Sequence, residues 1–335
     1  MRQEKGKIRW WGVCLLLLFA AGVAGCFKDV SKAKMERGEA SVRTWIDAQG
    51  EMVRLSSKPQ RIISCSISTD EILLGLTDTS RIAALSVLAD DPGISNLVDE
   101  AKKVKNRVDL RSVEPILALK PDLVLAPDFV KPEIVQSLRD LNIPVFVYRT
   151  PKTIADVEGV IEQFAQVIGE EGRGKKMVRE MERRLSRVRK KVSRIPPTEQ
   201  KRAVLIRPNG AYFSPQNSIS DIYHQAGIKD AMQELSYEKP MPVPQEAIVR
   251  LDPDLFFIVN WNYDGRHDPD LQRRAIMENP SYKTTKAVRN GQIQKLHGAY
   301  ILSLSQYIVA AVEEVAQLSY PEIFSKEGAA DSGET

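Results

Sequence analysis

A ten-residue segment of this chain occurs twice, and this repeat limits the possible fold more than any other feature of the sequence. Residues 114–123 align without gaps on residues 246–255, and Glu, Ile, Leu, Pro, Asp and Leu coincide at a constant offset of 132 positions. Each copy combines a short helical pattern, a Pro-Asp stop and an apolar run typical of a buried strand. Internal similarity at a long, fixed offset predicts two similar lobes rather than one large sheet.

Strand and helix patterns alternate around both copies of the repeat. The first block is predicted to contain a strand pair at 42–46 and 52–55, strands at 61–65, 81–86, 123–126 and 145–148, and helices at 71–76, 113–119 and 131–141. The second block is predicted to contain strands at 203–207, 255–259 and 292–296, and helices at 220–226, 245–251, near 270–277 and at 304–318. Such alternation implies parallel strands joined by right-handed helical crossovers. The predicted fold is therefore α/β, with two Rossmann-like lobes.

A long helical region at 153–194 separates the two blocks. Its glycines at Gly169–Gly174 predict a break into two helices, and Pro196 ends the second helix. The second helix is rich in basic residues, which could form a patch for nucleic acid or membrane. We interpret them as an ordinary solvated face, because Glu180 and Glu182 dilute the positive charge. A stiff helical connection predicts only a small hinge closure on ligand binding.

The first 26 residues have the pattern of an export signal. A basic start is followed by an apolar run from Trp10 to Ala21, which is too short for a membrane span of about 20 residues. The small residues before Cys26 resemble the lipobox of bacterial lipoproteins, in which the chain is cut before a cysteine that carries the lipid. Cys14 leaves with the signal, and Cys65 remains alone, so no internal disulfide can form. We interpret Cys65 as a buried strand residue.

Charge and composition exclude several functions. The formal net charge is +4, but the first 25 residues contribute +3 of it, so the rest of the chain is nearly balanced. This balance argues against a strongly basic nucleic-acid-binding surface. Three histidines in total limit any metal site built from imidazole groups. The sequence contains no nucleophile elbow, HExxH helix, P-loop or Rossmann glycine fingerprint, and we therefore expect no enzyme.

Several segments together resemble the substrate-binding proteins of the cobalamin, haem and ferric-siderophore class of bacterial ABC importers. These segments are 47–50 with 58–64, 66–76, 113–126, 141–147 and 320–322. Each segment alone is weak, but their combination is specific and spreads over residues 42–323. The resemblance implies the fold of class III periplasmic binding proteins, in which a long rigid backbone helix joins two α/β lobes.

The resemblance also gives a role to the first glutamate of each repeat. In this family one glutamate on each lobe docks onto arginines of a two-fold permease, and Glu114 and Glu246 match those positions. A carboxylate that meets a guanidinium fork gains a charge-assisted bond, and two such pairs fix orientation. The alternative is that each glutamate only stabilises the first turn of its helix, by about 0.3 to 1 kcal/mol.

Candidate ligand-binding residues lie in loops that follow the predicted strands, because open α/β sheets bind ligands beyond the carboxyl ends of their strands. They are Ser66, Asp128, Phe129, Tyr148 and Arg149 in the first lobe, and Arg207, Tyr212, Trp261, Tyr263, His297 and Tyr300 in the second. Aromatic rings and guanidinium groups together suit a large, flat or anionic ligand. The alternative is that the tyrosines pack one lobe against the other.

Two observations bear on the identity of the ligand. Haem-binding members of the family can use histidine or tyrosine as axial ligand, and His297 or Tyr300 could act so. Cobalamin-binding members tend to place aromatic residues just before the two glutamates, but residues 107–109 and 240–242 contain none. The polar loop 264–268 is interpreted as a solvated loop rather than a cation site.

These observations predict an extracytoplasmic lipoprotein that captures an iron complex, a ferric siderophore or haem, and delivers it to an ABC permease dimer with its ATPase subunits. A carrier of cobalamin or another corrinoid is the alternative, and a lipoprotein sensor, an adaptor or an exported enzyme represents another class. We expect a monomer with no resident cofactor and no directly bound metal. The predicted organisation is a signal peptide at 1–25, a flexible tether at 26–41, an N-terminal lobe at 42–152, a helical region with the interlobe backbone helix at 153–197, a C-terminal lobe at 198–324 and a disordered tail at 325–335.

Overall fold

The computed structural model describes residues 42–325, except for residues 110, 263, 264 and 266. The predicted signal peptide, Cys26, the tether, Tyr263 and nearly all of the predicted tail lie outside the described residues. The strands are β1 Arg43–Ile46, β2 Met52–Leu55, β3 Ile62–Ser64, β4 Ile82–Ser86, β5 Arg107–Val108, β6 Leu123–Pro127, β7 Val145–Tyr148, β8 Arg202–Ile206, β9 Tyr212–Phe213, β10 Lys229–Asp230, β11 Met241–Pro242, β12 Leu255–Asn260 and β13 Ile293–His297. The helices are α1 Ile67–Leu76, α2 Val98–Ala101, α3 Glu114–Ala118, α4 Pro132–Asp140, α5 Ile154–Ile168, α6 Glu171–Val192, α7 Ser218–Gln225, α8 Gln245–Leu251, α9 Pro269–Glu278, α10 Lys286–Arg289, α11 Gly298–Ile301, α12 Ile308–Ser319 and α13 Pro321–Phe324.

Two parallel sheets form the framework of the lobes. The N-terminal sheet has the order β5-β4-β3-β6-β7, and the C-terminal sheet has the order β10-β8-β12-β13. Every pairing within these two sheets is parallel. The central strands β6 and β12 are apolar runs buried almost throughout, as expected for strands covered by helices on both faces. The predicted α/β class with parallel sheets is confirmed.

The sequence repeat corresponds to the same turn in both lobes, between α3 and β6 and between α8 and β12. Lys120 and Asp252, which are equivalent in the repeat, both have a positive φ, of 47° and 42°. This left-handed conformation is uncommon for residues with a side chain, and it turns the chain sharply from the helix into the strand. The two lobes therefore share this local geometry as well as their sequence.

The aspartate of each Pro-Asp stop connects two neighbouring strands. The Asp122 carboxylate accepts a hydrogen bond of 2.8 Å from the backbone N–H of Arg61, next to β3. The Asp254 carboxylate accepts one of 2.9 Å from the backbone N–H of Arg202, the first residue of β8. A carboxylate at this place thus sets the position of the neighbouring strand in each sheet. This structural role explains the aspartates of the repeat, but not its glutamates.

Two helices, rather than one, join the lobes. Helices α5 and α6 pack against each other, and both contact α1 in the N-terminal lobe and α7 in the C-terminal lobe. Helix α6 alone has 22 residues and is about 33 Å long. A capping box between Thr153 and Asp156 begins α5, and Gly169 ends it with a φ of 73°. The break between the helices is shorter than predicted, because Gly174 lies within α6.

One hydrophobic cluster extends from the first sheet through both connecting helices to the second sheet. Phe164 of α5 and Leu185 of α6 belong to it, together with Leu125 of β6 and Phe257 of β12. Two smaller clusters lie on the outer faces of the sheets, one in each lobe. The lobes are therefore connected by close-packed side chains, and not only by the polypeptide chain.

The contact between α5 and α6 leads to a stability prediction. A Cβ atom added at Gly174 would lie 2.5 Å from the Cβ atom of Ala165, whereas one added at Gly172 would have no neighbour within 4 Å. Gly174→Ala should therefore lower the free energy of unfolding by about 1–3 kcal/mol. Gly172→Ala should leave it unchanged or raise it by up to about 1 kcal/mol. Urea unfolding of both variants tests this, and equal stability of the two would contradict the close approach of the helices.

Candidate functional site

Two cavities lie between the lobes, one on each side of the segment 302–304. The first encloses about 380 Å³ and is lined by loops at the carboxyl ends of all five strands of the N-terminal sheet, together with Leu304. The second encloses about 570 Å³ and is lined by the loops after β8 and β12, by Pro242 of β11 and by Leu302. These volumes are those of small-molecule sites. We refer to the two cavities together as the cleft.

The floor of the first cavity is a network of hydroxyl groups. Ser66 caps the N-terminus of α1, and its Oγ lies 3.0 Å from the Tyr148 hydroxyl, which is 2.8 Å from Thr69 Oγ1. The Tyr148 ring packs edge-on against Phe164, and burial raises the pKa of Tyr148 to about 12, so that the phenol stays neutral. Ser66 and Tyr148 both line the cavity, but Tyr148 is 4% exposed and supports the floor more than it offers a ring.

A buried carboxyl group that the sequence did not single out lies beneath this floor. Asp70 accepts hydrogen bonds from the backbone N–H of Ser86, at 3.0 Å, and from its hydroxyl, at 2.5 Å. Burial, only partly offset by these bonds, raises the pKa of Asp70 to about 6. Burial also raises the pKa of the Cys65 thiol, in agreement with the interpretation of Cys65 as an unreactive strand-end residue.

Aromatic and basic side chains form the walls of the cleft. Phe129 lines the first cavity with 69% of its surface exposed, and Tyr212 lines the second with 47% exposed. Arg207 also lines the second cavity, and its guanidinium has no hydrogen bond or ion pair within the described residues. The second cavity also includes His267, although the sequence predicts a solvated loop at 264–268. These groups offer ring surfaces and a positive charge to an incoming molecule.

Trp261 connects the lobes at the edge of the second cavity. Its Nε1–H donates a hydrogen bond of 2.9 Å to the Asp91 carboxylate of the N-terminal lobe. A Cβ atom at Gly93 would lie 2.2 Å from the Trp261 ring, and one at Gly298 would lie 2.5 Å from the carbonyl oxygen of Gly93. The two glycines therefore let the lobes approach closely beside the indole. Trp261 thus lines the second cavity and also contacts the other lobe.

Four predicted ligand-binding residues do not line the cleft cavities. Asp128 and Arg149 line a third cavity of about 660 Å³, beside β1, β7 and α5. Asp128 Oδ1 accepts hydrogen bonds from the hydroxyl of Thr150, at 2.6 Å, and from its backbone N–H. The loops after β6 and β7 thus contribute side chains to two different cavities. Phe129 and Thr150 line the first cavity, whereas Asp128 and Arg149 line the third.

His297 and Tyr300 also do not line either cleft cavity. His297 Nδ1 is 2.5 Å from Glu314 Oε1, and the His297 ring is 5.3 Å from the Tyr300 ring. Tyr300 packs against the central hydrophobic cluster. Because α11 begins at Gly298, directly after β13, it turns Tyr300 toward this cluster. The role of these two residues in ligand binding stays a prediction.

A second missed carboxylate, Glu71, fixes the segment between the two cavities. Glu71 Oε2 accepts hydrogen bonds from the hydroxyls of Ser303, at 2.8 Å, and Ser305, at 2.6 Å. Its Oε1 accepts from the backbone and side-chain N–H groups of Asn96, both at 2.8 Å. The helix predicted at 304–318 begins only at Ile308, because the two serines bond to Glu71 instead of entering the helix.

The two repeat glutamates occupy equivalent exposed sites. Glu114 is the first residue of α3, and Glu246 lies in the first turn of α8. No hydrogen bond or ion pair joins either side chain to the described part of the chain. Their helices follow residues that line the cleft, Asp109 in one lobe and Pro242 in the other. Both carboxylates are thus presented to solvent on the cleft side of the molecule.

Similarity to known proteins agrees with this architecture. A family model described as "Periplasmic binding protein" matches residues 62–300, well over half of the chain. The chain belongs to this family. No helix within residues 42–325, where described, has the length and apolar character needed to cross a membrane.

Two relatives match this periplasmic binding protein over nearly the whole length of its chain. An uncharacterized ABC transporter substrate-binding lipoprotein of Bacillus subtilis (strain 168), YvrC, is 25% identical over 325 residues, which cover 93% of this chain and 97% of the relative. The iron-uptake system-binding protein of the same organism is 23% identical over 315 residues, which cover 90% and 97%. The family and these relatives are substrate-binding proteins of transport systems and not enzymes.

Solved structures show the same fold. Helicobacter pylori CeuE with Ni(II) bound has a TM-score of 0.69 at 21% identity, covering 85% of this chain and 91% of that one. The periplasmic heme-binding protein RhuT from Roseiflexus sp. RS-1, in its apo form, has a TM-score of 0.67 at 19% identity, covering 79% and 99%. The predicted class III periplasmic binding protein fold is confirmed.

Asp70 makes the stability of the binding protein depend on pH. Its pKa of about 6 in the folded state lies above the ordinary value of 3.8, so the folded state holds the proton more tightly. The contribution of protonated Asp70 to the free energy of unfolding is fully present below about pH 4, and it is lost as the pH rises through 6. Between pH 4 and pH 7 the wild type should lose about 3 kcal/mol of unfolding free energy relative to Asp70→Asn. Urea unfolding across this range measures the difference, with the exposed Asp140→Asn as control. Parallel pH profiles of wild type and Asp70→Asn would contradict the assignment.

Proposed function

We propose that the protein is the extracytoplasmic substrate-binding component of an ABC importer, and that it captures an iron complex in the cleft. The observation that carries this proposal is the Arg207 guanidinium, which has no partner within the described residues and lies near the exposed Tyr212 ring at the carboxyl end of the C-terminal sheet. Ferric siderophores commonly present carboxylate or catecholate oxygens around a bulky body. A guanidinium binds such oxygens with charge-assisted hydrogen bonds, and rings cover the body.

The names of relatives support an iron complex as cargo. They include a Fe(3+)-citrate-binding protein and an iron(3+)-hydroxamate-binding protein of Bacillus subtilis. Vitamin B12-binding proteins of other bacteria are also among the relatives and support the corrinoid alternative. Haem is a second candidate for this cleft, because His267 and Tyr212, both types of residue that can ligate haem iron, line the same cavity. A corrinoid remains the alternative within the class. The protein requires no resident cofactor in this role.

We also propose that Cys26 carries a lipid that anchors the protein at the outer face of the cytoplasmic membrane, and that the protein acts as a monomer. The lipobox-like sequence before Cys26 supports the anchor, as does the relative named as a lipoprotein. Such an anchor would keep the folded part of the protein near its permease. The number of residues between Cys26 and β1 limits the distance of the folded part from the membrane. The permease dimer and its ATPase subunits are the proposed partners.

Ligand titration tests the cargo. A chain of residues 27–335, which contains every described element, is titrated with ferric citrate, a ferric hydroxamate, a ferric catecholate, haemin and cobalamin while tryptophan fluorescence is followed. Trp261 lines the cleft and should be quenched by a bound iron complex. Arg207→Gln should raise the Kd for an anionic chelate at least about tenfold. Arg149→Gln, which removes a guanidinium from the third cavity, is the matched control.

The outcomes separate the candidates. A Soret shift with haemin that is lost in His267→Ala or Tyr212→Phe would favour haem as the cargo. Tight binding of cobalamin alone would contradict the iron complex but not the transport role. Equal losses in Arg207→Gln and Arg149→Gln would contradict the assignment of Arg207.

Docking is tested by a second pair of variants. Glu114→Gln with Glu246→Gln should reduce uptake of the ligand by the importer at least about tenfold while leaving ligand affinity unchanged, because two charge-assisted contacts are lost. The control is Glu133→Gln with Glu322→Gln, which removes two other carboxylates from first helical turns, one in each lobe. If the glutamates served only their helix termini, both pairs would behave alike and neither would change uptake.

A further inference from the structure

Helix α6 carries far more positive charge than its role in joining the lobes requires. It contains ten Lys or Arg residues and three Glu residues within 22 positions. Its buried residues Gly174, Met181, Leu185, Val188 and Val192 face the core along one side. With 3.6 residues per turn, the residues opposite this side must face solvent.

Six basic residues form that opposite side, and we call them the α6 basic face. They are Lys176, Arg179, Arg183, Arg187 and Lys190 of α6, and Arg194 in the turn that follows it, all exposed. The helical part of the face extends for about 21 Å. Arg183 pairs with Glu180, whereas the other five side chains have no hydrogen bond or ion pair within the described residues. Glu180 and Glu182, which the sequence analysis took to dilute this charge, lie on the flanks of the helix and not in the centre of the face.

The α6 basic face lies on the far side of the molecule from the cleft. Helix α1 begins beside Ser66 on the cavity floor and ends where Gly75 and Leu76 meet α6. The exposed carboxylates of Glu114 and Glu246 lie on the cleft side. The protein therefore presents two exposed carboxylates at one side and a band of exposed basic groups at the other.

The chain also enters the folded body beside α6. Arg43, in the first described strand, donates a hydrogen bond of 2.7 Å to Glu171, the first residue of α6, and one of 3.0 Å to the Gln166 carbonyl oxygen. If Cys26 carries a lipid, only residues 27–41 separate it from this point. Fifteen residues span at most about 50 Å even when fully extended. The proposed anchor would thus keep the α6 end of the molecule within reach of the membrane.

We propose that the α6 basic face lies on the anionic lipid headgroups of the membrane, so that the cleft faces outward while the protein collects its ligand. The face carries charged and small residues and no large apolar side chain, which suits contact with headgroups and not insertion. Such attraction is reversible and screened by salt. Docking of the two glutamates on a permease requires the opposite orientation, so the protein leaves the lipid surface to deliver its cargo. The anchor and docking parts of this inference rest on the proposed function, but the attraction itself does not.

Binding to vesicles tests the inference directly. The chain of residues 27–335 is sedimented with vesicles of phosphatidylcholine alone, or mixed with phosphatidylglycerol, at low and high salt. The test variant combines K176Q, R179Q, R187Q and K190Q, none of which has a partner within the described residues. The control variant combines K103Q, K105Q, K239Q and K283Q, which removes the same charge from other exposed positions. Wild type and control should bind the anionic vesicles alike, and the test variant at least about tenfold more weakly.

Several results would overturn the inference. They are equal weakening in both variants, equal binding to vesicles with and without phosphatidylglycerol, and tighter binding to a soluble polyanion such as polyphosphate than to anionic vesicles. Ligand titration of the same variants checks that their fold is intact. If the wild type binds anionic vesicles but no ligand, the proposed function is contradicted and this inference stands. If it binds a ligand but no vesicles, only this inference is contradicted.

A fluorescent label reports the orientation on the surface. Ser186→Cys places a thiol within the α6 basic face, and Ser137→Cys places one on α4, while Cys65 is buried. On anionic vesicles the label at residue 186 should become protected from an aqueous quencher, and the label at residue 137 should not. Protection of both labels, or of the label at residue 137 alone, would contradict the proposed orientation.

Discussion

The four hydrogen bonds to the Glu71 carboxylate hold the cleft together. A buried carboxylate is costly unless donors surround it, and Glu71 finds them on two segments, one with Asn96 and the other with Ser303 and Ser305. These bonds fix the segment 302–304 against α1, and this segment separates the two cavities, with Leu302 in one and Leu304 in the other. The shape of the cleft thus depends on an interaction within the protein, and it exists before any ligand arrives.

The hydrophobic cluster that crosses both connecting helices has a related consequence. A hinge between lobes opens easily where few packed contacts cross it, but here α5 and α6 both contact elements of each lobe. Large closure would have to break close-packed side chains and the Trp261–Asp91 hydrogen bond. A largely preformed cleft loses little conformational freedom on binding, which favours selection of ligands by fit and charge. The sequence-based prediction that the lobes close only slightly on ligand binding rests on the same resistance of packed helices to bending.

The sequence was most informative where local rules act alone. Apolar runs and the repeat predicted the sheets, because buried parallel strands need such runs and the Pro-Asp turn recurs for the same structural reason in both lobes. Side-chain direction was harder to predict. The carboxyl end of a strand locates Asp128, Arg149, His297 and Tyr300 near the correct edge of a sheet, but the turn that follows decides on which side each lies. Asp70 and Glu71 could not be identified, because their partners come from distant segments that no local pattern indicates.

Helix α6 combines demands that ordinary helix stability does not explain. Its last-turn residues Arg189, Lys190 and Lys191 complement the helix dipole, but the dipole does not account for basic residues farther from that end, such as Lys176 and Arg179. Arg183 and Arg187, four positions apart, repel each other by about 0.2–0.5 kcal/mol, as do Arg179 and Arg183. A helix that only joined two lobes would be more stable with glutamates at some of these exposed positions. A surface that lies against anionic lipid has the opposite requirement, since every added glutamate would weaken the contact, and the composition of α6 follows this second requirement.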